Sequence, residues 1–311
     1  MGKQNILLTG GAGFIGSSMA EKLSEEPDHF VVAVDNLLTG EEKKLKQKDN
    51  LKLIICDVNN FEEISNVFYR YGFDYVFHYA AVVGVQRTLS KPVDVLRDIH
   101  GIENILKLSR TTGVKQVFFS SSSEVYGEPV EFPQNEETTP LNSRLPYAIV
   151  KNLGEAFFKS YHYEYGLDYT IFRFFNTYGP KQSKDFVISK FIAAALKNQP
   201  ITIYGDGSQS RTFCYIDDNV DACYNAFKNK VFINDIINIG NDIEFPIIKI
   251  AELIIELTNS KSEIIFLPKL KEGDMTRRKP DITKMKKILD RPLLDLRSGM
   301  LKIMENTEFI L

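Results

Sequence analysis

The stretch Ile6-Leu7-Leu8-Thr9-Gly10-Gly11-Ala12-Gly13-Phe14-Ile15-Gly16 decides the fold. A short apolar run ends in a glycine cluster, and Phe14, Ile15, Met19 and Leu23 then recur at helical spacing. The pattern predicts strand, tight turn, helix. Glycines at 10, 13 and 16 let the backbone bend sharply and lie close to a pyrophosphate. The helix N-terminus, opening at Phe14 and Ile15, aims free N–H groups and partial positive charge at the same place. A second apolar run, Phe30-Val31-Val32-Ala33-Val34, ends in Asp35, 22 residues after Gly13. That is about the ~20-residue offset at which an acid meets the adenosine ribose. Strand, glycines, helix, strand and acid together predict a dinucleotide site. A carboxylate at Asp35 repels a 2′-phosphate, which favours NAD over NADP. Lys43 and Lys44 weaken that preference without removing it. The competing reading of Asp35 is a strand-end turn acid.

The rest of the first half repeats the alternation. Leu51 to Cys56 reads as a strand ending at Asp57-Val58, Phe61 to Tyr71 as a helix, and Tyr75 to His78 as a strand running into Ala80-Ala81. These two small residues let a cofactor lie close. Val93 to Thr111 reads as one long helix and Lys115 to Ser120 as a fifth strand. Glu128 to Leu145, rich in Pro, Glu, Asn and Thr, reads as a surface loop. A helix from Pro146 to about Gly166 and a strand from Tyr169 to Phe174 follow. Such alternation means an α/β fold, a doubly wound parallel sheet of the Rossmann type with helices on both faces. After Asn176 the rhythm breaks into helix 186–196, strand 201–204, a polar loop, helix 216–227, strand 236–239, helix 247–258 and an amphipathic tail from Ile282. We expect residues 1–175 to form the NAD-binding domain, with 212–240 returning to it. Residues 176–211 and 241–311 are expected to form a smaller, discontinuous C-terminal α/β substrate lobe.

Among 311 residues, 43% are hydrophobic and 25% charged, with a net charge of -3, as in ordinary globular chains. No basic footprint marks nucleic acid or an anionic membrane as a partner. No run is long enough to span a bilayer, and no targeting segment is evident, so a cytoplasmic protein is expected. Cys56, Cys214 and Cys223 are scattered, which suits core thiols in a reducing compartment. The four histidines show no ligand spacing, so no metal site is expected.

The fifth strand runs into Ser121-Ser122-Ser123-Glu124-Val125-Tyr126-Gly127, and Tyr147 and Lys151 lie farther on. Residues four apart share a helix face, so the phenol and the ammonium can act together. A tyrosine titrates near ~10, and a neighbouring ammonium lowers that value. Tyr147 then takes the proton of a substrate hydroxyl that Ser122 holds. Tyr224 and Lys228 repeat the spacing, but no glycine motif or serine-bearing strand end precedes them.

These stretches, with Asp35-Asn36, Asp57-Val58, His78-Tyr79-Ala80-Ala81, Arg173 to Pro180, Tyr204 to Arg211 and Arg278-Lys279-Pro280-Asp281, span nearly the whole chain. It resembles the extended short-chain dehydrogenase/reductases of the nucleotide-sugar epimerase, dehydratase and decarboxylase group. The resemblance implies a Rossmann domain holding NAD, a lobe holding a nucleoside diphosphate sugar, and a homodimer. It implies that Gly10, Gly13, Phe14, Ile15, Gly16, Asp35, Asn36, Asp57, Val58, Ala80, Ala81, Tyr147 and Lys151 serve the cofactor. Asn176, Tyr204, Arg211 and one of Arg277 or Arg278 should serve the sugar nucleotide, since guanidinium forks suit a pyrophosphate.

In such families the sugar C4 hydroxyl is oxidised to a ketone, whose fate differs. Dehydratases carry an Asp-Glu pair before Val-Tyr-Gly, and here Ser123 replaces the aspartate. UDP-glucuronate decarboxylases, which form UDP-xylose, carry Thr-Ser-Glu there, close to Ser122-Ser123-Glu124. Their Tyr–Lys spacing, however, contains acids that Ala148-Ile149-Val150 lacks. C4 epimerases need only Tyr, Lys and Ser. The expectation is therefore an NAD-dependent epimerase/dehydratase-type enzyme, with C4 epimerisation first and decarboxylation next. An atypical 4,6-dehydratase and a non-catalytic sensor of NAD or a sugar nucleotide are further alternatives, the last disfavoured by the intact Ser122, Tyr147 and Lys151.

Overall fold

The structure is a computed structural model and describes residues 3–84, 88, 90–269, 277–309 and 311. The first half of the chain runs β1 (Gln4–Thr9), α1 (Phe14–Leu23), β2 (His29–Asp35), β3 (Leu51–Ile55), α2 (Phe61–Tyr71), β4 (Tyr75–His78), α3 (Pro92–Leu96), α4 (Asp98–Thr112), β5 (Gln116–Ser122), α5 (Pro146–Tyr165) and β6 (Asp168–Phe174). It continues with β7 (Thr177–Tyr178), α6 (Val187–Leu196), β8 (Ile201–Tyr204), β9 (Ser210–Thr212), β10 (Cys214–Tyr215), α7 (Ile216–Lys228) and β11 (Asp235–Ile239). The last elements are β12 (Glu244–Pro246), α8 (Ile247–Thr258), β13 (Ile264–Leu267), α9 (Thr283–Ile288) and α10 (Leu296–Glu305).

Seven strands form one sheet in the order β11-β6-β5-β4-β1-β2-β3. From β3 through β2, β1 and β4 to β5 every pairing is parallel. This is the doubly wound order, and the strand sequence reverses between β1 and β4, where ligands of such sheets sit beyond the carboxyl ends. Register brings those ends level: Thr9 faces Val34 on one side and His78 on the other, and His78 faces Phe119. The glycine turn, Asp35, Ala80-Ala81 and Ser122 therefore all leave the same edge.

The chain divides into two compact units, one of residues 1–125, 143–173 and 220–237, the other of 126–142, 174–219 and 238–311. In the first, alternation along β5 sends Phe118 and Phe119 to opposite faces. Phe118 stacks on Phe77 at 4.4 Å, and Phe227 of α7 meets both rings edge-on. Phe119 stacks on Phe158 of α5 at 4.7 Å. Each face of the sheet is thus sealed by aromatic area, whose burial dominates core energetics. The second unit is built on short pairings, β7 with β10, β8 with β13 and an antiparallel β9 with β12.

The structure departs from the sequence reading in several places. The helix expected over 93–111 is two helices meeting at Arg97, where the His100 N–H bonds the Arg97 carbonyl only three residues back and tightens the turn. The fifth strand runs to Ser122 rather than Ser120. The segment read as a surface loop after Glu128 buries Gln134 completely, because its backbone bonds Lys279 and Asp281 on both sides. Residues 126–142 belong to the second unit. The three cysteines are buried thiols, none in a disulfide. Among the described residues no helix is long and apolar enough to cross a membrane, and no cluster of His, Cys, Asp and Glu is arranged to hold a metal ion.

Candidate active site

The turn after β1 is built around backbone approach. Gly10 has φ +71°, and a Cβ there would lie 2.8 Å from the Ala80 nitrogen. A Cβ on Gly16 would overlap the Gly10 carbonyl. Helix α1 starts on Gly13 with no side-chain cap and no acid in its first turn, so the N–H groups at Phe14 and Ile15 open onto a site of positive potential. A dinucleotide pyrophosphate fits this cradle of bare backbone and uncapped helix. Asp35, buried at the end of β2, accepts the Ala12 N–H at 2.9 Å and the Leu37 N–H at 2.8 Å. It clasps the glycine turn to its own strand end. Asn36 turns its side-chain oxygen to the Leu38 N–H. Asp57 accepts the Asn59 N–H, and Val58 is buried behind it.

Thr9 organises the next strand end. Its hydroxyl accepts the N–H groups of Tyr79 at 3.0 Å and Ala80 at 3.1 Å, fixing the backbone that enters Ala80-Ala81. With its lone pairs taken, it donates to His78 Nδ1 at 2.8 Å, which assigns the proton of that ring to Nε2. Burial, together with the charge of Lys151, holds His78 down at about 3, so the imidazole is neutral.

Ser122 ends β5, and Glu124 lies in the 3-10 turn that follows. The Ser122 oxygen accepts the Glu124 N–H at 3.2 Å, which leaves its own proton for donation. Tyr147 and Lys151 lie in the first turns of α5, which Pro146 opens. The Lys151 ammonium is buried, donates to the Ser120 carbonyl at 2.6 Å, and stands 4.9 Å from the centre of the Phe119 ring and 5.8 Å from that of Tyr147. Loss of water pushes its pKa down to about 8, against the pull of the Asp98 carboxylate. One turn farther, Glu155 accepts Ser121 Oγ at 2.5 Å and closes both oxygens on Arg173, Nε at 2.9 Å and Nη2 at 2.7 Å. All three are buried, so the network locks α5 to β5 and β6 and fixes the helix against the serine strand.

The rival pair is placed differently. The Tyr224 phenol donates to Glu26 at 2.5 Å, and Lys228 donates to the same carboxylate oxygen at 2.8 Å. Burial and that carboxylate push the Tyr224 pKa up, the wrong direction for a base near neutrality.

The second unit gathers the remaining residues. Asn176 donates from its side chain to the Thr212 carbonyl at 3.1 Å, and Arg211, in the middle of β9, donates from Nη1 to the Ser210 carbonyl at 2.8 Å. Tyr204 ends β8 and accepts Gln209 on its carbonyl. Arg277 closes its fork on Glu244, with both contacts at 2.6 Å, and stacks on Phe132 at 4.2 Å. Arg278, next to it, is buried.

Asp98, Thr9, His78 and Glu155 have parts in this arrangement that spacing alone did not assign. For Glu155 a signal existed, since Tyr147, Lys151 and Glu155 recur every four residues on one helix face. For Asp98 there was none, because an acid in a first helical turn is commonplace.

The description NAD dependent epimerase/dehydratase family belongs to a family model that matches residues 6–240. A UDP-N-acetyl-alpha-D-glucosaminuronate decarboxylase of Bacillus cytotoxicus is 39% identical over 92% of this chain and 92% of its own. UDP-glucuronic acid decarboxylase 3 of Arabidopsis thaliana is 36% identical, covering 95% of this chain and 86% of that one. Among solved structures, the UDP-glucose 4-epimerase of Thermotoga maritima with UDP-glucose aligns at a TM-score of 0.91 and 33% identity, covering 98% of both chains.

Proposed function

The chain belongs to the NAD-dependent epimerase/dehydratase family, and from that premise we propose that it decarboxylates a UDP-linked hexuronate. In this reading the first unit holds NAD on Gly10, Gly13, Phe14, Ile15 and Gly16, with Asp35 and Asn36 at the adenosine ribose and Asp57, Val58, Ala80 and Ala81 around the rest. The second unit holds the nucleoside diphosphate sugar, with Asn176, Tyr204 and Arg211. Arg277 or Arg278 is its pyrophosphate arginine, since a guanidinium fork suits a pyrophosphate.

Tyr147, with Lys151 beside it, takes the proton of the C4 hydroxyl, and Ser122 donates to the same oxygen. The chemistry NAD supplies when bound is removal of hydride from C4 and its later return. A ketone at C4 makes the C5 carboxylate a β-keto acid. The C5–C6 bond breaks, carbon dioxide leaves, and the electron pair passes to O4 as an enolate that Ser122 and Tyr147 stabilise. Glu124 delivers a proton to C5. The sum is hexuronate plus one proton giving pentose plus carbon dioxide.

The observation that carries this choice is Glu124, two residues past Ser122 in the turn that leaves β5, a position where epimerisation at C4 has no use for a carboxylate. A second reading, C4 epimerisation, draws on the acid-free Ala148-Ile149-Val150 and on the likeness to the Thermotoga epimerase. Incubation with UDP-hexuronates and UDP-hexoses, read by mass and NMR, tests both. Loss of carbon dioxide from a hexuronate is expected; an isomer of unchanged mass as the sole product would overturn the proposal in favour of the second reading.

We also read the protein as a cytoplasmic homodimer. The apolar Ile149 and Leu153, one turn apart on α5, are 42% and 45% exposed and offer a face for a second copy. Light scattering is expected to give a dimer, and a monomer would refute that reading.

A further inference from the structure

The loop that leaves Asp35 returns to the glycine turn. Gly40 packs on the Asp35 carboxylate, where a Cβ would lie 2.7 Å from Oδ1 and 2.9 Å from the Ala12 Cβ. The next residue, Glu41, donates its N–H to the Ala12 carbonyl at 2.9 Å. Ala12 gives its own N–H to Asp35. The backbone of Glu41 is thus tied to the same residue as the acid assigned to the adenosine ribose. A 3-10 turn over Glu42–Lys44 follows, closed by the Lys44 N–H on the Glu41 carbonyl at 3.0 Å.

This turn brings two lysines onto one carboxylate. Lys44 Nζ stands 3.1 Å from Glu41 Oε1, and Lys43 Nζ stands 3.4 Å from Oε2. Lys44 is buried, whereas Glu41 and Lys43 are about half exposed. Loss of water would raise the Glu41 carboxyl, but the bonds and charges of Lys44 and Lys43 outweigh it and hold the group below its ordinary value. Glu41 is therefore charged at neutral pH. NAD and NADP differ only in the 2′-phosphate, which is drawn to cations and repelled by carboxylates. Lys43 and Lys44 are the cations of the stretch from Asn36 to Lys44, and Glu41 engages both.

We propose that Glu41 is a specificity-determining residue: paired with Lys43 and Lys44 on the loop that covers Asp35, it keeps both lysines from a 2′-phosphate and so disfavours NADP. The proposal rests on the reading of Asp35 as the ribose acid and adds a second carboxylate to it. Glu41→Gln keeps the side-chain length, the backbone bond to Ala12 and an acceptor for a lysine, and removes the charge. Lys43, half exposed on a long side chain, is then able to turn to the phosphate, and one repelling charge is gone. NADP is expected to gain about fivefold on NAD, the upper worth of one exposed ion pair.

Calorimetric titration of the full-length parent and Glu41→Gln proteins, each freed of cofactor, with NAD and with NADP is the test. The ratio of the two affinities is what counts, because a loop that merely loses its shape binds both cofactors less well. A shift of that ratio toward NADP, smaller in high salt as for any screened attraction, is the expected result. An unchanged ratio, whether both affinities hold or both fall, overturns the proposal. Equal affinity of the parent for the two cofactors would instead overturn the place given to Asp35. The change of ratio in Glu41→Gln is measured whichever cofactor the parent prefers, so the two failures are separable.

Discussion

The first unit contains the same four-residue spacing of tyrosine and lysine twice, and the two pairs have opposite chemistry. Tyr147 and Lys151 sit where a parallel sheet ends, and the lysine is buried against a backbone carbonyl and an aromatic face. Tyr224 and Lys228 sit on α7, both bonded to Glu26, with Lys228 55% exposed. In the first setting burial holds the lysine near 8 and brings a positive charge beside a phenol. In the second a carboxylate accepts the phenol proton bond and makes ionisation harder. Spacing puts two side chains on one helix face; the elements that helix packs on decide what the pair can do.

The largest effect should come from breaking the first pair. Tyr147→Phe is expected to cut kcat by ~10²–10⁴-fold, the usual worth of a general acid–base group, with folding unchanged by circular dichroism. Tyr224→Phe should keep kcat within about twofold of the parent, since it removes one hydroxyl remote from the reacting groups. If the two variants exchange these phenotypes, the contrast between the settings is wrong.

Next in size is Glu124→Gln. A lost proton donor at C5 is expected to cost ~10²-fold in decarboxylation, with NAD affinity unchanged by titration. A modest loss would favour C4 epimerisation, in which no bond at C5 changes.

The cofactor preference sharpens the comparison from the other end of the sheet. NAD is expected to bind about tenfold or more tightly than NADP. Asp35→Asn should weaken NAD binding as well, because an amide NH₂ would be set against one of the N–H groups of Ala12 and Leu37 that the carboxylate accepts. Equal affinity for the two cofactors in calorimetry would mean that Asp35 is only a turn acid.

How much of this was legible in the chain follows from how local each feature is. The glycine turn was readable because its demands, a positive φ at Gly10 and room at Gly16, are met within a few residues of each other. The central strands of the first sheet, β1, β2 and β4, were readable because each buries a nearly continuous apolar run. The site residues of β5 and α5 followed from their place in that alternation. By contrast β9 and β12 are three residues each and exist through their pairing with one another, so no periodicity marks them. The clamp of Glu244 on Arg277 joins residues 33 apart, and Gln134 is buried by Lys279 and Asp281 from the far end of the chain. Asp98 combines both obstacles, an ordinary residue in an ordinary helical position whose partner is the Val82 N–H, 16 residues before it.

The smallest effect is on stability, and it belongs to the second pair. Lys228 first, then Tyr224, hold the Glu26 carboxyl down at about 2 from its ordinary 4.5. A carboxyl whose folded pKa is depressed stabilises the fold above its unfolded pKa, and that contribution disappears as the pH falls through the folded value. Tyr224→Phe removes one of the two bonds, so its Tm should lie slightly below the parent's at neutral pH. The gap should close between about 4.5 and about 2, where Glu26 becomes protonated in the parent too. Salt should act on both proteins alike, because the exposed Lys228–Glu26 pair that it screens is present in each. Calorimetric scans of both proteins across that range check this. A gap that persists unchanged at the acid end would mean that the Tyr224 hydroxyl stabilises the fold through something other than the Glu26 carboxylate. The contrast between the two pairs would then not lie in the carboxylate that the second one meets.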